Sequence, residues 1–116
     1  MFRCGLVGGG RMGRAHMRAL STSEEIAIVA VTEPSPASAN LLPADIPVHS
    51  SVAEMVESHE LDGALVAVPS GLHGEVISEL VRYGLPTLCE KPCGVTAEQT
   101  RLTADLVADA ALPFQV

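Results

Sequence analysis

Three glycines, Gly8, Gly10 and Gly13, stand near the start of the chain in the spacing G-x-G-x-x-G, after an apolar run that ends at Val7. The first permits a tight turn, the second lets backbone approach a pyrophosphate, and the third lets a helix pack close to a strand. The first helical residues, Arg11 and Met12, would complete the cradle, because amides at a helix N-terminus have no intrahelical acceptor and favour an anion. Glu33 lies twenty residues beyond Gly13, at the end of a β-branched run. An acidic residue there accepts hydrogen bonds from the adenosine ribose of a dinucleotide. An arginine next to it would suit a 2′-phosphate; the residue is Pro34, so NAD is expected rather than NADP.

Two later segments carry the remaining reactive side chains. Pro69-Ser70-Gly71-Leu72-His73 follows one apolar run, and Glu90-Lys91-Pro92 follows another. Lys91 is the only lysine beside six arginines. Pro69, Ser70, His73 and Glu90 are candidate cofactor contacts, and Lys91 is the candidate catalytic residue. His73 can equally be read as a helix-start residue capping Glu75 or Val76, and Lys91 as an exposed loop lysine. For His16, His49 and His59, surface or packing roles are the expectation.

These residues need a frame that brings them together. Short apolar runs alternate with helical stretches, the pattern of βαβ units around a parallel sheet. Strands are expected at Arg3–Val7, Ile26–Thr32, Pro47–His49, Gly63–Val68, Pro86–Cys89 and Phe114–Val116. A first helix is expected over Arg11–Leu20, with Met12, Ala15 and Ala19 on its inner face. A short helix can lie between Ser35 and Leu42. Two S/T-x-x-E/Q capping boxes, Ser51 with Glu54 and Thr96 with Gln99, open helices running to about Ser58 and Ala111. Between them, His73–Tyr83 carries Val76, Ile77, Leu80 and Val81 along one stripe, with Gly84 as its C-terminal cap. The expectation is a single α/β domain, a doubly wound parallel sheet (Rossmann fold) with strand order 3-2-1-4-5-6, whose ligand lies beyond the carboxyl ends of the strands.

Composition excludes several other classes. A chain of 116 residues holds one domain. A formal net charge of −7 argues against a nucleic-acid partner, which demands a basic patch. It leaves dinucleotides open, because backbone amides can hold their phosphates. The uncharged run from Gly63 to Leu72 is far too short to span a bilayer, so no membrane association is expected. Cys4, Cys89 and Cys93 lack CxxC spacing; buried thiols in a cytoplasmic protein, and no metal, are the expectation.

With those residues in view, the chain resembles the N-terminal domain of the glucose–fructose oxidoreductase, inositol dehydrogenase and rhizopine-catabolism family. The resemblance spans essentially the whole chain. It rests on GLVGGGRMGRAH, VAVTEP, VPSGLH and above all CEKP at 89–92. It implies that Gly8–Gly13 cradles the pyrophosphate, Glu33 binds the ribose, Pro69–His73 lines the nicotinamide side, and Lys91 reaches the reacting oxygen. It also implies a sugar or polyol substrate and a homo-oligomer. The family usually has Asn where this chain has Ser70. Its members continue into a second α/β domain that supplies further catalytic residues and substrate contacts, so residues 1–116 match the dinucleotide-binding domain alone, and by themselves they should be inactive. A free-standing NAD(H)-binding or regulatory module is the alternative. A Rossmann domain for another adenosine ligand is a third reading, against which the EKP segment speaks.

Overall fold

The computed structural model describes residues 1–116. Six parallel strands form one sheet: β1 (Phe2–Val7), β2 (Ile26–Thr32), β3 (Val48–His49), β4 (Gly63–Val66), β5 (Thr87–Cys89) and β6 (Phe114–Gln115). Their order across the sheet is β3-β2-β1-β4-β5-β6, as expected from the alternation of strands and helices. The helices are α1 (Arg11–Leu20), α2 (Pro36–Ala39), α3 (Val52–Ser58), α4 (His73–Arg82) and α5 (Ala97–Ala110), with one 3-10 turn over Ser70–Leu72 ahead of α4.

Local chemistry explains most of these limits. Ser51 and Thr96 accept hydrogen bonds from the amides of Glu54 and Gln99, both at 3.1 Å, and so satisfy an otherwise orphan donor at each helix start. The return bonds reach one residue further back than a capping box requires: Glu54 accepts from the Ser50 amide, and Gln99 from the Val95 amide. Tyr83 closes α4, and Gly84 follows with φ +70°, a conformation that costs glycine little.

The two faces of the sheet are covered unequally. The main core sets Val7, Ala30, Ala64, Val66 and Cys89 of the sheet against Val52 and Met55 of α3, Ile77 and Leu80 of α4 and Val107 of α5. Complete burial of a side chain such as Ile77 or Leu80 contributes about 2 kcal/mol. The opposite face holds a smaller cluster, Cys4, Leu6, Val31, Leu42 and Leu65, with Met17 of α1 packed on it. Ile26 and Ile28 are therefore only half-buried, although β2 reads as a strand covered on both sides. They floor an open groove of about 530 Å³ between α1 and the Leu41–Ile46 segment.

Helix α1 is rotated away from the stripe expected for it. Met12 is 50% exposed and Ala19 is exposed, whereas Gly13 is the one buried residue of the helix and Met17, four residues on, packs against the sheet. Gly13 dictates this rotation. A Cβ built on it would overlap the carbonyl oxygen of Gly8, so the glycine edge of the helix has to be the edge that meets β1. No helix of the protein is long and apolar enough to cross a membrane.

A Gly13→Ala substitution should accordingly destabilise the fold. The clash is with backbone and cannot be relieved by a rotamer change, so overpacking of about 2–3 kcal/mol should outweigh the ~1 kcal/mol that alanine gains in a helix. Thermal melts of the two proteins test this; an unchanged or raised Tm would show that helix and strand can separate without cost.

Candidate functional site

The parallel registers set Val7 beside both Thr32 and Val66, and Val66 beside Cys89. One residue further on, the ladder still holds. Gly8 donates to Thr32 O (2.9 Å), Ala67 to Val7 O (2.8 Å), Glu33 to His49 O (2.8 Å) and Glu90 to Val66 O (2.9 Å). The glycine turn, Glu33, the loop after β4 and the loop after β5 thus leave the sheet at the same level along its carboxyl edge. The sequence motifs converge because the strands are in step.

The glycine turn is shaped by three separate constraints. Gly8 has φ +107°, and a Cβ on it would overlap the carbonyl of Ala67, so only glycine fits between β1 and the end of β4. Gly13 admits α1. Gly10, by contrast, has nothing within 4 Å of its Cβ position, leaving open space above the backbone where a ligand could approach. Gly10 is also the N-cap of α1, and Arg14 N–H is the first amide to turn back, to Gly10 O at 2.9 Å. The amides ahead of it, including those of Arg11 and Met12, have no intrahelical acceptor. There is no acid in the first turn, and Arg14 Nη1 donates to Gly9 O at 3.1 Å. Backbone donors, the helix dipole and nearby arginines give this corner the character of an anion site in an otherwise acidic chain.

Glu33 is tied to the same turn. Its Oε1 accepts from the Gly9 amide and its Oε2 from the Ser35 amide, both at 2.9 Å. A carboxylate offers about four lone-pair positions, so each oxygen retains one for a further donor such as a ribose hydroxyl. Gly9, the middle residue of the glycine triplet, lies inside the expected Gly8–Gly13 cradle, and its amide is the donor to Glu33. A Cβ there would press to 3.2 Å on the Glu33 side chain and to 3.0 Å on Leu42.

Across the crevice, Pro69 is exposed and Ser70 half-buried at the start of the 3-10 turn, and Lys91 is exposed, its ammonium bonded to no other protein group. The Lys91–Pro92 peptide is cis. Glu90 turns back toward α1, where its Oε1 meets His16 Nε2 at 2.7 Å. That hydrogen bond holds the Glu90 carboxyl below its ordinary range; partial burial opposes the shift, and the charges of His16 and Lys91 and the Lys91 amide add to it. His16 is thereby a site neighbour, not the surface or packing residue expected. Its position three residues after Gly13, on the helix edge that meets the sheet, was the legible clue.

His73 departs from both readings of it. It makes no capping bond to α4, and its ring is only 1% exposed, with Nδ1 2.6 Å from Pro92 O and Nε2 2.9 Å from Val68 O. With both nitrogens directed at backbone carbonyls, the ring has no polar atom left for a cofactor, and the direct contact expected of it is corrected to a link between two loops. The three thiols are free; burial pushes Cys4 up to about 11 and Cys89 up to about 12, which keeps both unreactive.

Comparison with known proteins agrees with this geometry. The model of an oxidoreductase family with an NAD-binding Rossmann fold matches residues 2–116. The chain belongs to the glucose–fructose oxidoreductase, inositol dehydrogenase and rhizopine-catabolism family. It is 44% identical to the rhizopine catabolism protein MocA of Rhizobium meliloti over 99% of its own length and 37% of the relative's. It is 29% identical to an inositol 2-dehydrogenase of the same species over 98% and 35%. Among solved structures, scyllo-inositol dehydrogenase of Lactobacillus casei with bound NAD(H) and scyllo-inositol is 28% identical, with a TM-score of 0.88 over 99% of this chain and 35% of that one. The chain thus spans about a third of the length of the relatives it matches. It is an NAD-binding domain of the family's oxidoreductases.

Two substitutions separate the site from the scaffold. Gly10→Ala should leave the Tm unchanged while weakening NAD(H) by about tenfold or more, roughly 1.4 kcal/mol, in calorimetric titration. A fall in Tm with affinity intact would mean that Gly10 serves the fold alone. The lowered Glu90 pKa means that its contribution to stability is complete above the ordinary carboxylate range and is lost as pH falls through the depressed value. Glu90→Gln should therefore flatten the decline of Tm between about pH 5 and about pH 3; an identical acid limb in both proteins would contradict the pairing.

Proposed function

We propose that this chain is the cofactor half of a dehydrogenase that moves hydride between NAD(H) and a secondary alcohol of a sugar or cyclitol. The observation that carries the reading is the meeting, on one sheet edge, of an anion-receptive glycine turn with the single exposed lysine of the chain. Bound NAD supplies the hydride acceptor. The turn from Gly8 to Gly13, with the amides of Arg11 and Met12, holds the pyrophosphate, and Glu33 takes the adenosine ribose hydroxyls. Pro69 and Ser70 line the nicotinamide side, where Ser70 stands in place of the family's usual Asn. Glu90, anchored on His16, sets the start of the loop from which Lys91 reaches the reacting oxygen. There its ammonium donates a hydrogen bond and stabilises negative charge that develops on the oxygen.

The names of the relatives, inositol dehydrogenases foremost, support a sugar or cyclitol as substrate. Hydride transfer needs the reacting carbon held about 3–3.5 Å from its acceptor, and residues 1–116 offer one wall for that task. A second α/β domain, the substrate-binding partner of this one, would supply the other wall and the contacts of a homo-oligomer. Three free thiols, two of them buried, suit a reducing cytoplasm.

Glu33 should set cofactor choice, since its charge repels a 2′-phosphate. Calorimetric titration is expected to give tighter binding of NAD(H) than of NADP(H), and Glu33→Gln should narrow that preference by about tenfold, roughly 1.4 kcal/mol. Tighter NADP(H) binding by the unaltered chain would overturn the assignment of Glu33, and absence of binding by either cofactor would overturn the site.

A further inference from the structure

We propose that His16 and His73 are positioning residues for Lys91, gripping the residues on either side of it. The inference rests on the role given to Lys91 above. Glu90, before the lysine, is held by His16 from α1 at 2.7 Å. Pro92, after it, is held through its carbonyl by His73 from the first turn of α4 at 2.6 Å. Proline has no N–H, so that carbonyl is the only polar handle the residue has. Each ring also joins the lysine loop to another wall of the crevice: His16 to the helix that starts at the glycine turn, His73 to the end of β4 through Val68 O.

The two grips differ in character. His16 meets a carboxylate, in the one ion pair of the protein. His73 meets only backbone: at 1% exposure its ring is closed off from solvent, and its two nitrogens lie 2.6 Å from Pro92 O and 2.9 Å from Val68 O. A buried ring fitted between two carbonyls from different loops fixes the distance between those loops, and with it the start and end points of the short segment that carries Lys91.

Lys91 being the only lysine, reductive methylation with 13C-formaldehyde labels one side chain besides the N-terminus. The relaxation of its methyl signal is followed by NMR. A restrained signal is expected in the unaltered chain. His73→Phe, which keeps a ring but loses both nitrogens, should leave the lysine mobile. His16→Ala should mobilise it, and His16→Gln, which can still donate to Glu90, should restore order. A Lys91 signal indifferent to both His73→Phe and His16→Ala overturns the proposal. Should the His73 variant fail to fold, the two His16 variants decide the matter: a signal that neither moves with alanine nor returns with glutamine overturns it. None of these measurements uses a cofactor: an NADH titration that finds no binding while Lys91 stays restrained would sink the cofactor reading and leave the bracketing of Lys91 intact.

Discussion

Gly13 lies so near the carbonyl oxygen of Gly8 that one methyl group would overlap it. That approach brings the first turn of α1 directly over the end of β1, and the rest of the carboxyl edge is arranged around it. The rotation of α1 is set there, which turns Met17 onto the sheet, leaves Met12 exposed, and carries His16 to Glu90. The turn below it is fixed in the same way: Gly8 is squeezed against Ala67 of the neighbouring strand, and Gly9 yields its side-chain space to Glu33. Three glycines are needed for packing, and the fourth, Gly10, leaves room over the backbone.

An acidic chain can hold a dinucleotide because charge at the site is local. The net charge is −7, yet α1 opens with no acid in its first turn, with unpaired amides, and with Arg11 and Arg14 beside them. Field at a helix terminus falls off within a turn, so distant carboxylates matter little against donors aimed at the anion. Glu33 is the exception. Its two backbone bonds hold the carboxylate in place, and under the ribose role proposed for it that order would reduce the cost of binding.

The loop that carries Lys91 is stabilised differently from the glycine turn. It has little apolar burial, with Lys91 and Pro92 both exposed. Polar bonds from α1 and α4 hold it, and the buried ring of His73 spans two loops that have few other reasons to meet. A buried polar group with both partners satisfied specifies one arrangement, because any other strands it unpaired. That is the logic of placing a histidine, not an aliphatic residue, at the start of α4.

Strand and helix order, the sheet topology and the arrival of the glycine turn, Glu33 and the Lys91 loop at one edge were legible in the residues. Each depends on local rules: apolar period, caps at Ser51 and Thr96, and glycines that only a turn or close approach explains. Parallel connection then leaves few topologies open. Side-chain partnerships were not legible in this way. That His16 would meet Glu90, seventy-four residues away, and that His73 would turn from the cofactor to Val68 and Pro92, depend on where loops from different strands come to lie. The inner stripe of α1 was misjudged for a related reason: hydrophobic period identifies the most apolar edge of a helix, whereas here a steric limit at one glycine chose the edge that packs. The half-burial of Ile26 and Ile28 likewise reflects how few helices cover that face, a property of the assembled layers that no stretch of β2 encodes.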